Sequence, residues 1–211
     1  MRREIVTRIK SNVRLKIALS SGLTIGFCVI YVLLQRHPLF PITEMKITWV
    51  DRMIPFLPGS VYLYESLWLL IPVAPWLMES KDDLVSYSKS LVVISLVGFC
   101  IFFFYPTSSP RPRDLHNINV VYGALIRVEN ELNAFPSLHV ALAFLSGASC
   151  HGIFRPGKWP KRLRWIVWIW VMGVVASTLL TKQHVFIDIV AGGMLGFGGY
   201  TIFCRRKVVP I

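Results

Sequence analysis

The sequence predicts an all-α protein, a bundle of six membrane-spanning helices in one chain of 211 residues. Three observations carry this. Six stretches are apolar over a length close to the roughly 20 helical residues needed to cross a hydrocarbon core about 30 Å thick. Only 16% of the residues are charged while 54% are hydrophobic, against roughly 25% charged in soluble domains. The Lys and Arg residues segregate onto alternate connections between the apolar stretches. The composition excludes a disordered chain. It also argues against nucleic-acid binding as the meaning of the +12 net charge, because such proteins carry their basic surface on an otherwise soluble fold.

The helices are expected at about 15–34, 61–78, 86–105, 137–154, 164–181 and 185–204, forming one domain over 15–204. A basic N-terminus (1–14) and a basic tail (205–211) flank it. The first apolar run is too long for a signal-peptide core and has no A-x-A-like site after it, so it reads as a retained helix. Ahead of it, Ile5, Ile9 and Val13 recur among Arg2, Arg3, Arg8, Lys10 and Arg14. A plain basic flank that sets topology is preferred over a surface-lying amphipathic helix. The second helix contains Pro72 and Pro75, which predict a kink. Ser146, Ser149 and His151 make the fourth the least apolar. In the sixth, Gly192-x-x-x-Gly196 follows no strand and reads as a close helix-packing surface rather than a dinucleotide loop. Cys28, Cys100, Cys150 and Cys204 have neither paired nor metal-ligand spacing and read as small buried hydrophobes.

Counting cations by side orients the bundle. The N-terminus, the 79–89 and 155–164 connections and the tail hold 16 Lys and Arg against 4 acids, whereas the opposite side holds 7 against 7. Cation-rich connections stay inside, so both termini are expected in the cytoplasm of a multi-pass protein of the cell (inner) membrane. The formal excess of positive charge is then a topology signal.

Three segments fall on the outer side. In Tyr105-Pro-Thr-Ser-Ser-Pro-Arg111-Pro-Arg113, Pro112 forces Arg111 into extended backbone, and a guanidinium so placed suits an oxyanion. In Phe135-Pro136-Ser137-Leu138-His139, a proline followed by a serine marks a helix start whose N–H groups favour an anion. Ser137 adds a hydroxyl, and His139 stands where it can protonate a leaving oxygen. In Lys182-Gln-His184-Val-Phe-Ile-Asp188, His184 and Asp188 share a helical face. A carboxylate in a membrane helix costs on the order of 2.5–3.5 kcal/mol at the centre and less near the end, so it usually has a partner. Bonded to one ring nitrogen, it leaves the other as a nucleophile. Lys182 supplies a further cation. The blander alternatives are a stiffened loop, a capped helix start and a His–Asp pair that locks helix ends. There is no GxSxG motif and no metal-ligand cluster.

With these residues the chain resembles the type-2 phosphatidic acid phosphatase superfamily, which includes vanadium haloperoxidases and has the signature KxxxxxxRP, PSGH and SRxxxxxHxxxD. The second part reads here Pro136-Ser137-Leu138-His139. The third reads Ser177-Thr178, five residues, His184, three residues, Asp188. The resemblance covers about residues 50–200, with a lead-in at Asp51–Tyr64. Three positions depart from the signature: Phe104 stands for the lysine, Thr178 for the arginine and Leu138 for the glycine. PSLH and KQH place the chain near a branch similar to inositol phosphorylceramide synthases, in which Lys182 is expected to replace the missing cation.

The resemblance implies a six-helix phosphatase core acting on a membrane lipid phosphate or an isoprenyl (di)phosphate, with no cofactor, no metal and no nucleic acid. It implies His184 as nucleophile, Asp188 as its orienter and His139 as acid and then base. Arg111, Ser137, Lys182 and the Leu138 amide are expected on the phosphoryl oxygens, with Arg113 as a further candidate. The alternative within enzymes is a phosphotransferase that passes a phosphoryl or phospho-headgroup to an alcohol. The alternative outside enzymes is a non-catalytic lipid-binding protein or transporter. A transporter needs charges near the midplane, and Glu65 and Asp188 both fall near helix ends.

Overall fold

The computed structural model describes residues 2–112, 118–154 and 159–205. Arg113 and Asp114 of the 106–136 loop, Arg155 and Lys158 of the 155–164 connection, and Arg206 and Lys207 of the tail lie outside them. In chain order the helices are α1 (Arg2–Lys10), α2 (Val13–Arg36), α3 (Trp49–Met53), α4 (Val61–Glu65), α5 (Leu67–Leu77), α6 (Lys81–Phe104), α7 (Val120–Val128), α8 (Leu138–Ile153), α9 (Lys161–Leu180) and α10 (Phe186–Gly199). A π-helical turn, Tyr200–Cys204, extends α10. All six expected segments are helical. Among the described residues, four helical stretches are long and apolar enough to cross a membrane: Val13–Arg36, Lys81–Phe104, Lys161–Leu180 and Phe186–Cys204. The six-span count is not reached on those criteria, for two reasons. The 16 residues of α8 reach only about 24 Å at 1.5 Å per residue. The second segment is broken at Ser66 into α4 and α5.

That break lies six residues before the first proline. Pro72 and Pro75 remain inside α5. Pro75 has no N–H to offer the Ile71 carbonyl, and the Tyr87 hydroxyl donates to that carbonyl instead, at 3.0 Å. The last carbonyls of α5 also find donors. Lys16 Nζ donates to Trp76 O at 3.0 Å, Arg8 Nη1 to Leu77 O at 3.0 Å, and Ser11 Oγ to Met78 O at 3.3 Å. The N-terminal flank therefore does more than carry charge: it folds as α1 and closes the end of α5.

The buried residues of α2 are Lys16 and Gln35, while Ile17, Ile25, Val29 and Leu33 are exposed. A water-soluble fold does not present such a face; a lipid-facing helix does. Trp165, Ile169 and Met172 of α9 and Met194 and Phe197 of α10 do the same. The main core lies around α8, against α5, α6, α9 and α10. A second apolar cluster, Val61, Tyr64, Tyr122 and Leu125, joins α4 to α7.

The α8–α10 contact has the closeness that the small-residue spacing predicted. A Cβ at Gly192 would lie 2.3 Å from Ser137 O, and one at Gly196 would lie 2.1 Å from Ala141 O. Two short strands depart from the all-α expectation: β1 (Thr43–Glu44) pairs in parallel with β2 (Thr107–Ser108), and Ser108 bridges to Leu132. They tie together the loops on the side of the bundle where the expected site residues lie.

Candidate active site

The start of α8 is built by capping. Ser137 is the N-cap, and its Oγ accepts from Val140 N at 3.2 Å. Pro136 therefore precedes the cap, after a cis Phe135–Pro136 bond, rather than occupying the first turn. Ser137 N donates to Asp188 O at 3.1 Å, and its carbonyl lies over Gly192. The N-cap backbone thus spans one turn of α10. The amides of Leu138 and His139, in the first turn, have no intrahelical acceptor. The Leu138 side chain fills the space over Gly98 of α6, where a Cβ would be 2.5 Å from its Cδ2. That recess accommodates the leucine that stands for the signature glycine.

The start of α10 is treated differently. Val185 N donates to Asp188 Oδ2 at 3.0 Å, and Phe186 N donates to Asp51 Oδ1 at 2.7 Å. Asp51 also accepts from the backbone and hydroxyl of Thr48, 2.8 and 2.6 Å away. Two carboxylates therefore occupy the positive end of α10, and the start of α8 remains for an external anion. This capping role of Asp51 has no local signature, because its partner is 135 residues away.

His184 is 8% exposed and Asp188 fully buried. The expected His–Asp pair is present, but it shares its atoms. His184 Nδ1 lies 3.0 Å from Ala134 O and 3.5 Å from Asp188 Oδ2. A carbonyl only accepts, so Nδ1 carries the proton and Nε2 keeps its lone pair. By the same reasoning His139 Nε2, 2.9 Å from Tyr64 O, carries a proton and leaves Nδ1 available. The His139 ring also stacks on Tyr64, with centroids 3.8 Å apart and planes 13° apart.

Arg111 is held by the segment that leads into α8. Nη1 donates to Glu129 O at 2.9 Å and Nη2 to Asn130 O at 2.8 Å. Nη2 also donates to Gln183 Oε1, which couples Arg111 to the residue beside His184. Its Nε is covered and has no acceptor among the described residues. A donor left in that condition costs roughly 1–3 kcal/mol, which an anion would recover. Gln183 did not emerge from the sequence as a site residue; the only hint was its place in KQH.

Lys182 has a left-handed backbone (φ 55°). Its Nζ donates to Asp51 O at 3.0 Å and Ile54 O at 2.6 Å, so two of its three N–H groups are used on α3 and the residue that caps its end. Burial lowers its pKa, and the nearby Asp51 charge acts in the opposite sense. Phe104 is exposed and packs near Phe40. Thr178 O accepts from Gln183 N and His184 N, at 3.1 and 3.3 Å, closing the turn that carries KQH.

Glu129, also missed in the sequence, accepts from Tyr64 OH at 3.1 Å through Oε2. Burial raises its carboxyl pKa, while the Tyr64 hydrogen bond and the charges of His184 and Arg111 work against the rise. The region therefore brings together His139, His184, Asp188, Ser137, Leu138 and Arg111, with Lys182 beside it. Arg113 lies outside the described residues. No group of three or more His, Cys, Asp or Glu among the described residues is arranged to hold a metal.

No curated protein matches the chain. A family model does: the PAP2 superfamily, over residues 32–202. Members are generally phosphatases or phosphotransferases. That span runs from the end of α2 to the last turn after α10 and takes in every site residue described above, so the chain belongs to the PAP2 superfamily.

Proposed function

We propose that this protein is an integral membrane phosphatase that hydrolyses a lipid phosphate or diphosphate monoester through a phosphohistidine at His184. The observation that carries the reading is the fixed His184 tautomer: Nδ1 is held by Ala134 O at 3.0 Å, with Asp188 behind it. In the proposed reaction Nε2 attacks phosphorus, an N–P bond forms and the ester P–O bond breaks. His139, protonated, gives its proton to the leaving lipid oxygen. It then takes a proton from water, which attacks phosphorus and releases phosphate from His184. The Arg111 Nε, the first amides of α8 and the Ser137 hydroxyl meet the phosphoryl oxygens. Lys182 contributes its remaining N–H at the edge. No metal is required. In this reading six helices span the bilayer, both termini are cytoplasmic, and the site opens on the outer face of the cell membrane.

A second reading, transfer to an alcohol acceptor, is favoured by two departures at the site. Phe104 and Thr178 stand where the signature has cations, so the phosphoryl group is less tightly held. The test is phosphate release from phosphatidic acid and isoprenyl diphosphates by the purified protein in detergent, with and without chelator. Release that survives the chelator and is lost in His184→Ala supports the mechanism; full activity in that variant overturns it. A labelled headgroup chased into a lipid alcohol rather than into water selects transfer.

A further inference from the structure

Glu129 and Asn130 form a junction. Their backbone carbonyls hold Arg111. The Asn130 side chain donates to Gln35 O at the end of α2, at 3.0 Å. The Glu129 carboxylate accepts from Tyr64 OH at 3.1 Å. Tyr64, 3% exposed, meets His139 twice, through its ring face at 3.8 Å and through its carbonyl at 2.9 Å. It sits on α4, a helix of only five residues that ends at the Ser66 break. A single turn of helix does not hold a side chain firmly by itself. What fixes the far end of the Tyr64 ring is the hydroxyl's bond to Glu129.

We propose that Tyr64 and Glu129 are positioning residues for His139. Glu129 anchors the Tyr64 hydroxyl, and Tyr64 holds the imidazole by its ring face and by Nε2, leaving Nδ1 for proton transfer. The proposal rests on the reading of His139 as the acid and base. One dipeptide then serves both halves of the site, the phosphate clamp through its carbonyls and the proton-transfer histidine through its carboxylate. Neither residue touches the reacting atoms.

The test uses the full-length protein in detergent with Tyr64→Phe, Glu129→Gln, Glu129→Ala and the Tyr64→Phe/Glu129→Ala double variant. Tyr64→Phe keeps the stack and the carbonyl but loses the anchor. Glu129→Gln keeps an acceptor oxygen. Tyr64→Phe and Glu129→Ala are each expected to lower kcat about tenfold, and the double variant to fall no further, as partners in one interaction do. Glu129→Gln is expected within about threefold of wild type, and KM and vanadate inhibition within about twofold for all four, since the Arg111 acceptors are backbone atoms. Additive losses overturn the proposal, as do unchanged kcat values or a Glu129→Gln variant as impaired as Glu129→Ala. A second readout needs no turnover: nitrogen NMR of histidine-labelled protein should show His139 perturbed in Tyr64→Phe and near wild type in Glu129→Gln. If the wild-type protein releases no phosphate from any substrate, the proposed function fails, and the His139 spectra still decide whether this pair positions the ring. Spectra unchanged in Tyr64→Phe overturn the inference.

Discussion

Replacing Gly192 with alanine tests how closely the helix packing sets the site. The added Cβ would sit 2.3 Å from Ser137 O and 3.2 Å from Ser137 C. An ordinary C···O contact is about 3.3 Å or more, so α8 and α10 must separate by about 1 Å. Ser137 N is already 3.1 Å from Asp188 O, and the same displacement takes that bond beyond hydrogen-bond range. Overpacking costs about 1–3 kcal/mol, and the lost bond adds about 1 kcal/mol. Ser137 caps the helix that carries His139, and a misplacement of about 1 Å in a reacting constellation can cost on the order of 100-fold in rate. The assays are thermal unfolding in detergent and phosphate release. Two comparisons isolate the effect. Gly22→Ala and Gly26→Ala add a methyl where nothing lies within 4 Å and should be neutral or slightly stabilising, since alanine is the better helix former. Gly196→Ala should lose similar stability, with its Cβ 2.1 Å from Ala141 O, but less activity, because that contact is a turn farther from the cap. A Gly192→Ala protein as stable and active as Gly22→Ala refutes the reasoning.

Arg111→Lys keeps the charge but loses the fork that spans Glu129 O, Asn130 O and Gln183; KM should rise about tenfold or more and vanadate inhibition weaken, read from steady-state kinetics. Asp51→Ala uncaps α10 and breaks the Thr48 capping box, so unfolding should show a loss of about 2 kcal/mol, whereas a variant with unchanged stability contradicts the capping role. Glu129→Gln should change how stability depends on pH. Burial raises the folded-state pKa above the ordinary value of 4.5, so the contribution of this carboxyl is fully present below that value and lost as pH rises through the folded pKa. The variant should match wild type below about pH 4 and be the more stable of the two at neutral pH, as melting curves across that range will show.

Much of this architecture was legible in the sequence because membrane helices announce themselves locally. The six apolar runs all became helices, and Gly192 and Gly196 packed as their spacing indicated. The candidate site residues at 137–139 and 184–188 stood out because each motif is short and lies at a helix start. What escaped depends on contacts that leave no local pattern. The α10 cap from Asp51 and the Glu129–Tyr64–His139 chain join residues 65 or more positions apart. The helix α7 lay inside a segment read as a polar loop. Its buried Tyr122 and Leu125 show helical spacing, but nine residues interrupted by Gly123 gave a weak signal against their polar surroundings. The prolines correctly marked the second helix as irregular, yet the chain breaks at Ser66, while Pro72 and Pro75 stay helical and the Tyr87 hydroxyl takes up the carbonyl that Pro75 orphans.

In the proposed reaction the protein passes phosphate through His184. Acid-labile, base-stable phosphoryl label trapped by rapid quench with a labelled lipid phosphate, then mapped by peptide sequencing, tests it most directly. The expected result is label on His184 and none in His184→Ala. Label on another residue, or undiminished turnover in His184→Ala, contradicts it.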